Sequence, residues 1–138
     1  MPANNFNKNA LPPVINYDIH IYFEPGQKSE TTAYELAQRI IAFFPNAVEK
    51  HTPQKVGIVG PHLAHNYEVD LKPEAFGKVV AWLQRNSEGL SILIHPHTGD
   101  EAKDHLESSL WLGKQREFNP EFFAKLKTAN NNNPKINP

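Results

Sequence analysis

Seven histidines and no cysteine set the chemistry open to this chain. Three of the seven, His95, His97 and His105, fall within eleven residues in the stretch Ile92 to Gly113, ILIHPHTGDEAKDHLESSLWLG. His20 lies in the run NYDIHIYF, and His62 follows Gly60-Pro61. Neutral imidazole is the commonest metal ligand, and a site with nitrogen and oxygen donors but no thiolate suits Fe(II), Zn, Ni or Cu. Two histidines with one carboxylate leave positions open on non-haem Fe(II). Extradiol chemistry needs those positions, because both oxygens of a catechol and O2 must reach one metal. A further imidazole can move protons near neutral pH. The bland alternative is that a lone histidine on a strand hydrogen-bonds within its sheet, and His-x-His alone is a weak signal.

Whether the imidazoles meet depends on the elements that carry them. Asn16 to Phe23 alternates, with Tyr17, Ile19, Ile21 and Phe23 on one face and Asp18, His20 and Tyr22 on the other. Thr32-Ala33-Tyr34-Glu35 has capping-box spacing, and Leu36, Ala37, Ile40, Ile41 and Phe44 recur at helical intervals until Pro45. Lys55 to Val59 is a short apolar strand, and Gly60-Pro61 then turns the chain past His62 into His65 to Leu71, HNYEVDL. Pro73 opens a second helix with Phe76, Val79, Val80 and Leu83 as its stripe, closed by Asn86 and Gly89. Leu90 to Ile94 reads as the fourth strand, Asp100 to Leu110 as a helix, and Pro120 to Lys127 as a last short one.

The order β-α-β-β-α-β predicts an α+β, ferredoxin-like antiparallel sheet with helices on one face and a C-terminal helical extension. The first and third strands should be central, with the fourth beside the first and the second beside the third. That arrangement should bring the end of strand four (His95, His97), the turn carrying His62 and His65, and the first half of strand one to the same end of the sheet. His20 should face the side the helices leave open, together with Asp18 and Glu68. His51 reads as a surface residue, and His65 as packing or solvent-facing.

A chain of 138 residues suits one domain with its own core, and its 39% hydrophobic content supplies the material. The expected division is a flexible tail over 1–13, one domain over 14–128 and a disordered tail over 129–138, both tails being rich in Asn and Pro. Net charge −1 and a pI near 6.6 leave no basic field for nucleic acid. The sequence has no long apolar run and no charged-then-apolar leader, so no membrane partner is expected and the location should be cytoplasmic.

Four blocks together resemble the DOPA 4,5-dioxygenase family. They are Asp18 to Phe23 (DIHIYF), Gly60-Pro61-His62, the run His95-Pro96-His97-Thr98-Gly99-Asp100 with Asp104-His105, and Leu110-Trp111-Leu112-Gly113. The resemblance implies a metal held by His20, His62 and His95, with His105 the favoured proton-transfer group and His97 a ligand, a substrate contact or neither. Leu63 departs from the proline that often follows the Gly-Pro-His block in this family. The activity so implied is extradiol opening of a catechol by O2 at Fe(II), with Zn or Ni able to stand in its place. Glu68 would complete a facial triad. Tyr22 and Trp111 would flank the aromatic substrate, with a core role the alternative for Trp111. A rival is a non-enzymatic ferredoxin-like homodimer, Tyr22 burying against the partner subunit and the site holding a metal or a small aromatic ligand. A third is a cofactor-free monooxygenase.

Overall fold

Strand β1 (Asn16–Phe23) organises the molecule because its alternation is buried on both sides. Ile19 and Ile21 are fully enclosed on one face, and His20 and Tyr22 are nearly so on the other. The structure, a computed structural model, describes residues 11–132. After β1 come helix α1 (Lys28–Phe43), strand β2 (Gln54–Val56), strand β3 (His65–Leu71), a 3-10 turn at Pro73–Ala75 and helix α2 (Phe76–Arg85). Strand β4 (Ile92–His97), helix α3 (Glu101–Leu106), strand β5 (Leu110–Leu112) and helix α4 (Pro120–Asn132) complete the order. The antiparallel sheet runs β2-β3-β1-β4-β5, so β1 and β3 are flanked as the ferredoxin-like pattern requires, with β5 added outside β4.

The period-2 pattern divides the two faces. Ile19, Ile21 and Phe23 of β1, Val69 and Leu71 of β3 and Ile92 and Ile94 of β4 pack against Leu36, Ala37 and Ile40 of α1 and Val79 and Leu83 of α2. Enclosing a side chain such as Ile19 contributes roughly 1.5–3 kcal/mol, so this layer dominates stability.

Several local expectations change. Helix α1 begins at Lys28, one turn before Thr32, whose Oγ1 donates back to Lys28 O (3.1 Å) from inside the helix. Strand β2 stops at Val56, and residues 57–64 form a connection. The helix expected over Asp100 to Leu110 ends at Leu106, and Leu110–Leu112 pairs with β4 instead. Backbone groups on the edge of β4 need partners, and alternation puts Leu112 against the main core and Trp111 beside Leu93. Gly113 then turns the chain at φ 71°, where any Cβ would collide with Leu90 O. Helix α4 continues to Asn132 rather than stopping near Lys127. Residues 1–10 and 133–138 of the expected tails lie outside the described residues.

Candidate metal centre

Beside the helix-packed core lies a second, polar layer. On the far face of the sheet, His20 stands between Glu68 of β3 and Leu93 of β4, and Asp18 between Asp70 and His95. Tyr22, Ala64 and Leu93 form a small apolar cluster there, with Trp111 and Phe118 packed on it. The order of strands suggested that this face is open, but α3, through His105, and the segment leading to α4, through Phe118, cover it. Asn119 N donates to Pro61 O (2.8 Å) and His62 bridges to Phe118, which ties that segment to the β2–β3 connection.

Register corrects how the histidines meet. His65 pairs with Phe23 at one end of β1, and His97 pairs with Asn16 at the other. The turn and the end of strand four are therefore at opposite ends of the sheet. The imidazoles converge over its middle instead, with His62 standing over the ring of His20 (centroids 4.3 Å apart). His105 reaches the same place from α3, its ring 3.9 Å from that of His95. His20, His62, His95 and His105 are each less than one-tenth exposed. Among the described residues, no such ring contact involves His97, which is half-buried.

The hydrogen bonds fix where three of the protons sit. His20 Nδ1 donates to Asn66 Oδ1 (3.0 Å), His95 Nδ1 to Pro96 O (2.9 Å) and His105 Nδ1 to Glu101 O (2.8 Å). Each partner is an acceptor oxygen, so each neutral ring carries its proton on Nδ1 and a lone pair on Nε2. His20 and His95 bring those Nε2 atoms within 3.1 Å of each other. Ligand atoms of His20, His95 and His105 all lie within 4.8 Å of one another. Two neutral rings so arranged have no proton to put between their nitrogens, and their lone pairs repel. A shared cation makes the same spacing attractive, since nitrogens about 2.0–2.1 Å from one ion are roughly 3 Å apart when they meet near a right angle. The donor set therefore fits a metal ion.

Burial keeps the rings of His20, His62 and His95 neutral. Burial pushes His20 well below the ordinary imidazole value, with His62 and His95 adding to the effect. Burial, then His105, takes His62 to about 4 and His95 to about 4. The carboxyls beside them move the other way. Burial, then the charge of Asp70, pushes Asp18 up to about 8. Glu68 rises to about 9 through burial and Asp70. Asp18 Oδ2 lies 3.6 Å from His95 Nε2, and Glu68 Oε1 lies 3.9 Å from His20 Nδ1. With rings and carboxyls both neutral, these are polar contacts and not ion pairs.

Other expected residues take definite places. Tyr22 is 4% exposed and stacks on Trp111 at 5.9 Å, and its hydroxyl lies 2.7 Å from His62 Nδ1. Trp111 also packs on Phe118, at 5.8 Å. Since this chain alone covers Tyr22, burial of that ring does not call for a partner subunit. His51 is about half exposed but bonded: Nε2 lies 2.6 Å from Asp70 Oδ2. His65 contacts the ring of Phe23.

Sequence reasoning missed Asn66, Phe118 and Phe123. Asn66 shares the parity of Glu68, so alternation in β3 carried its signal. Phe118 and Phe123 contact the ring of His105 at 5.5 and 5.9 Å, a meeting that no local pattern encodes. Asp104, 2% exposed, accepts from Thr98 N (2.8 Å) and Thr98 Oγ1 (2.7 Å), which fixes α3, and so His105, against the end of β4.

Comparison with known proteins turns on the same segments. The Dopa 4,5-dioxygenase family profile matches residues 17–122, a span that includes all four imidazoles. The chain belongs to this family. An uncharacterised protein of Botryotinia fuckeliana is 33% identical over 121 residues, covering 80% of this chain and 64% of the relative. DOPA 4,5-dioxygenase of Amanita muscaria is 31% identical over 101 residues, covering 70% of this chain and 44% of the relative. The match thus spans less than two thirds of either curated relative. The crystal structure of a candidate dioxygenase from Nostoc punctiforme superposes with a TM-score of 0.65 at 34% identity, covering 82% of this chain and 94% of that one. This Dopa 4,5-dioxygenase family member has no helix among its described residues long and apolar enough to cross a membrane.

Proposed function

We propose that this chain is an extradiol dioxygenase that opens the ring of a DOPA-like ortho-diphenol with O2, at Fe(II) held by His20, His95 and His105. One observation carries the assignment: Nε2 of His20 and of His95 lie 3.1 Å apart with a ring nitrogen of His105 within 4.8 Å of a ligand atom of each, while all three Nδ1 atoms are committed to oxygens elsewhere. The ligand trio so favoured takes His105 in place of His62, and leaves His62 beside it to meet substrate. Bound iron would supply chelation of both catechol oxygens and electronic access to O2.

The remaining residues shape and protect the site. Asn66, Pro96 O and Glu101 O hold the three imidazoles in orientation through Nδ1, as outer-shell partners of metal-bound histidines do. Leu93, Phe118 and Phe123 exclude water from the neighbourhood of His105 and His95. Asp18 Oδ2, 3.6 Å from His95 Nε2, is placed to exchange a proton with a ligand bound beside that ring.

The test is anaerobic loading with Fe(II), metal quantification and O2 uptake on a panel of catechols. Wild type should bind one iron and consume O2 with at least one ortho-diphenol. His20→Ala, His95→Ala and His105→Ala should lose iron and turnover together. Full turnover in the His105→Ala variant, or in chelated wild-type protein, would overturn the assignment.

A further inference from the structure

Of the four clustered imidazoles, His62 alone has its Nδ1 against a hydroxyl. The other three face oxygens that can only accept. Tyr22 Oη, 2.7 Å from His62 Nδ1, could donate or accept, so the proton on His62 must be found from the phenol's own needs. Tyr22 is 4% exposed, and among the described residues its hydroxyl has no other hydrogen-bond partner. If His62 Nδ1–H were the donor, the phenolic O–H would be a buried donor with nothing to receive it. Such an orphan costs about 1–3 kcal/mol. If the phenol donates, its proton is satisfied and His62 Nδ1 is the acceptor. The His62 proton then sits on Nε2, which has no hydrogen-bond partner among the described residues but is not one of the fully enclosed atoms, so that donor can still reach water or a bound ligand while an orphaned Tyr22 O–H could not.

We propose that Tyr22 is a positioning residue that sets His62 in the Nε2–H tautomer, so that this imidazole presents a hydrogen-bond donor to the bound ligand where its three neighbours present lone pairs. The inference rests on the metal assignment above for the meaning of that donor, though the tautomer itself does not depend on it. A ring in this state donates no electron pair through Nε2, which separates His62 from the ligand trio. Its ring lies over that of His20, so an oxygen of a diphenol or of O2 held beside the trio could accept from it. The role is donation of a hydrogen bond.

The surroundings hold Tyr22 in place. Its ring stacks on Trp111 and lies under the Arg116 guanidinium, 5.8 Å from the centroid. Tyr22→Phe keeps the ring and these contacts and removes one oxygen, so it tests the hydrogen bond rather than the packing.

The deciding measurement is long-range 1H–15N NMR on protein labelled at histidine nitrogens, metal-free and loaded with diamagnetic Zn(II). In wild type, His20, His95 and His105 should show the Nδ1–H pattern and His62 the Nε2–H pattern. In Tyr22→Phe the His62 signals should move to the other tautomer or to an average of the two, with zinc stoichiometry unchanged. A wild-type His62 in the Nδ1–H form, or a His62 pattern indifferent to Tyr22→Phe, would overturn the proposal. Turnover gives a second readout. With Fe(II) and an active catechol, Tyr22→Phe and His62→Gln should each lower kcat by about 10-fold or more at unchanged iron content, and the double variant should be no worse than His62→Gln. Independent losses that multiply would refute coupling through His62. Absence of ring opening by wild type on every catechol would sink the proposed activity and leave the NMR result standing.

Discussion

The two faces of the sheet are built from the same three strands by opposite rules. Toward α1 and α2 the side chains are Ile, Val, Leu and Phe, and each gains its place from enclosure alone. Toward the C-terminal segment they are His20, Asn66, Asp70 and His95, enclosed almost as completely. Burial that stabilises the first face costs free energy on the second unless each polar group finds a partner. The imidazoles meet that demand by staying neutral and giving their Nδ1 protons to oxygens. The helix face supplies rigidity, and the other face uses that rigidity to hold groups that would otherwise repel.

The contrast breaks most visibly when one residue is taken from each side. His20→Ala should weaken metal binding by more than about 100-fold, since even outer partners of a metal-bound histidine are worth 10–100-fold. Ile94→Ala should cost about 2–5 kcal/mol of stability and leave metal stoichiometry intact wherever the protein remains folded. Calorimetry and metal titration on the pair check this, and a metal-free His20→Ala as unstable as Ile94→Ala would erase the distinction. Asn66→Ala should come next, reducing affinity roughly 10–100-fold by freeing His20 Nδ1. Unchanged affinity would mean that the ring needs no such anchor.

Titration sharpens the same comparison. In metal-free protein, folded Asp18 keeps its proton up to about 8, whereas the unfolded carboxyl ionises near 3.8. The folded state therefore binds more protons between those values, and this group makes stability fall as pH rises through the window. His62 and His95 act oppositely: unfolded rings take protons near 6.5, folded ones only near 4, so their contribution is complete above 6.5 and lost as pH falls. Between 6.5 and 8 only the carboxyl slope is left, at most about 1.4 kcal/mol per pH unit for each proton. Asp18→Asn should remove its share of that slope in urea unfolding across the range, leaving the share of Glu68, which is pushed up to about 9. An unaltered slope would remove Asp18 as its source. The smallest effect is expected at Thr32, where replacement by Ala should change stability by less than about 0.5 kcal/mol because the residue caps nothing.

The apolar face was the more legible in sequence. Alternation at Ile19, Ile21 and Phe23 and at Tyr67, Val69 and Leu71 is a local signal, and β1 and β3 follow it residue for residue. That the histidines would gather could be read from strand order, but not the route, because the path of residues 57–64 back over the sheet depends on Pro61 meeting Asn119 and His62 meeting Phe118, 58 and 56 residues further along the chain. The short strand at Leu110 was hidden because Leu106, Leu110 and Gly113 also fit a helical period. Only an unfilled sheet edge decides between the two.

The spacing of the ligand-bearing residues has a consequence for biosynthesis. His20 emerges early from the ribosome and His95 follows 75 residues later, with His105 and the phenylalanines behind it later still. A nascent chain can therefore form its first hairpins and helices without owning a binding pocket. On the proposed ligand set, capture of an ion has to wait until His105, in the last third of the described fold, has been translated, so loading would be a late event of maturation.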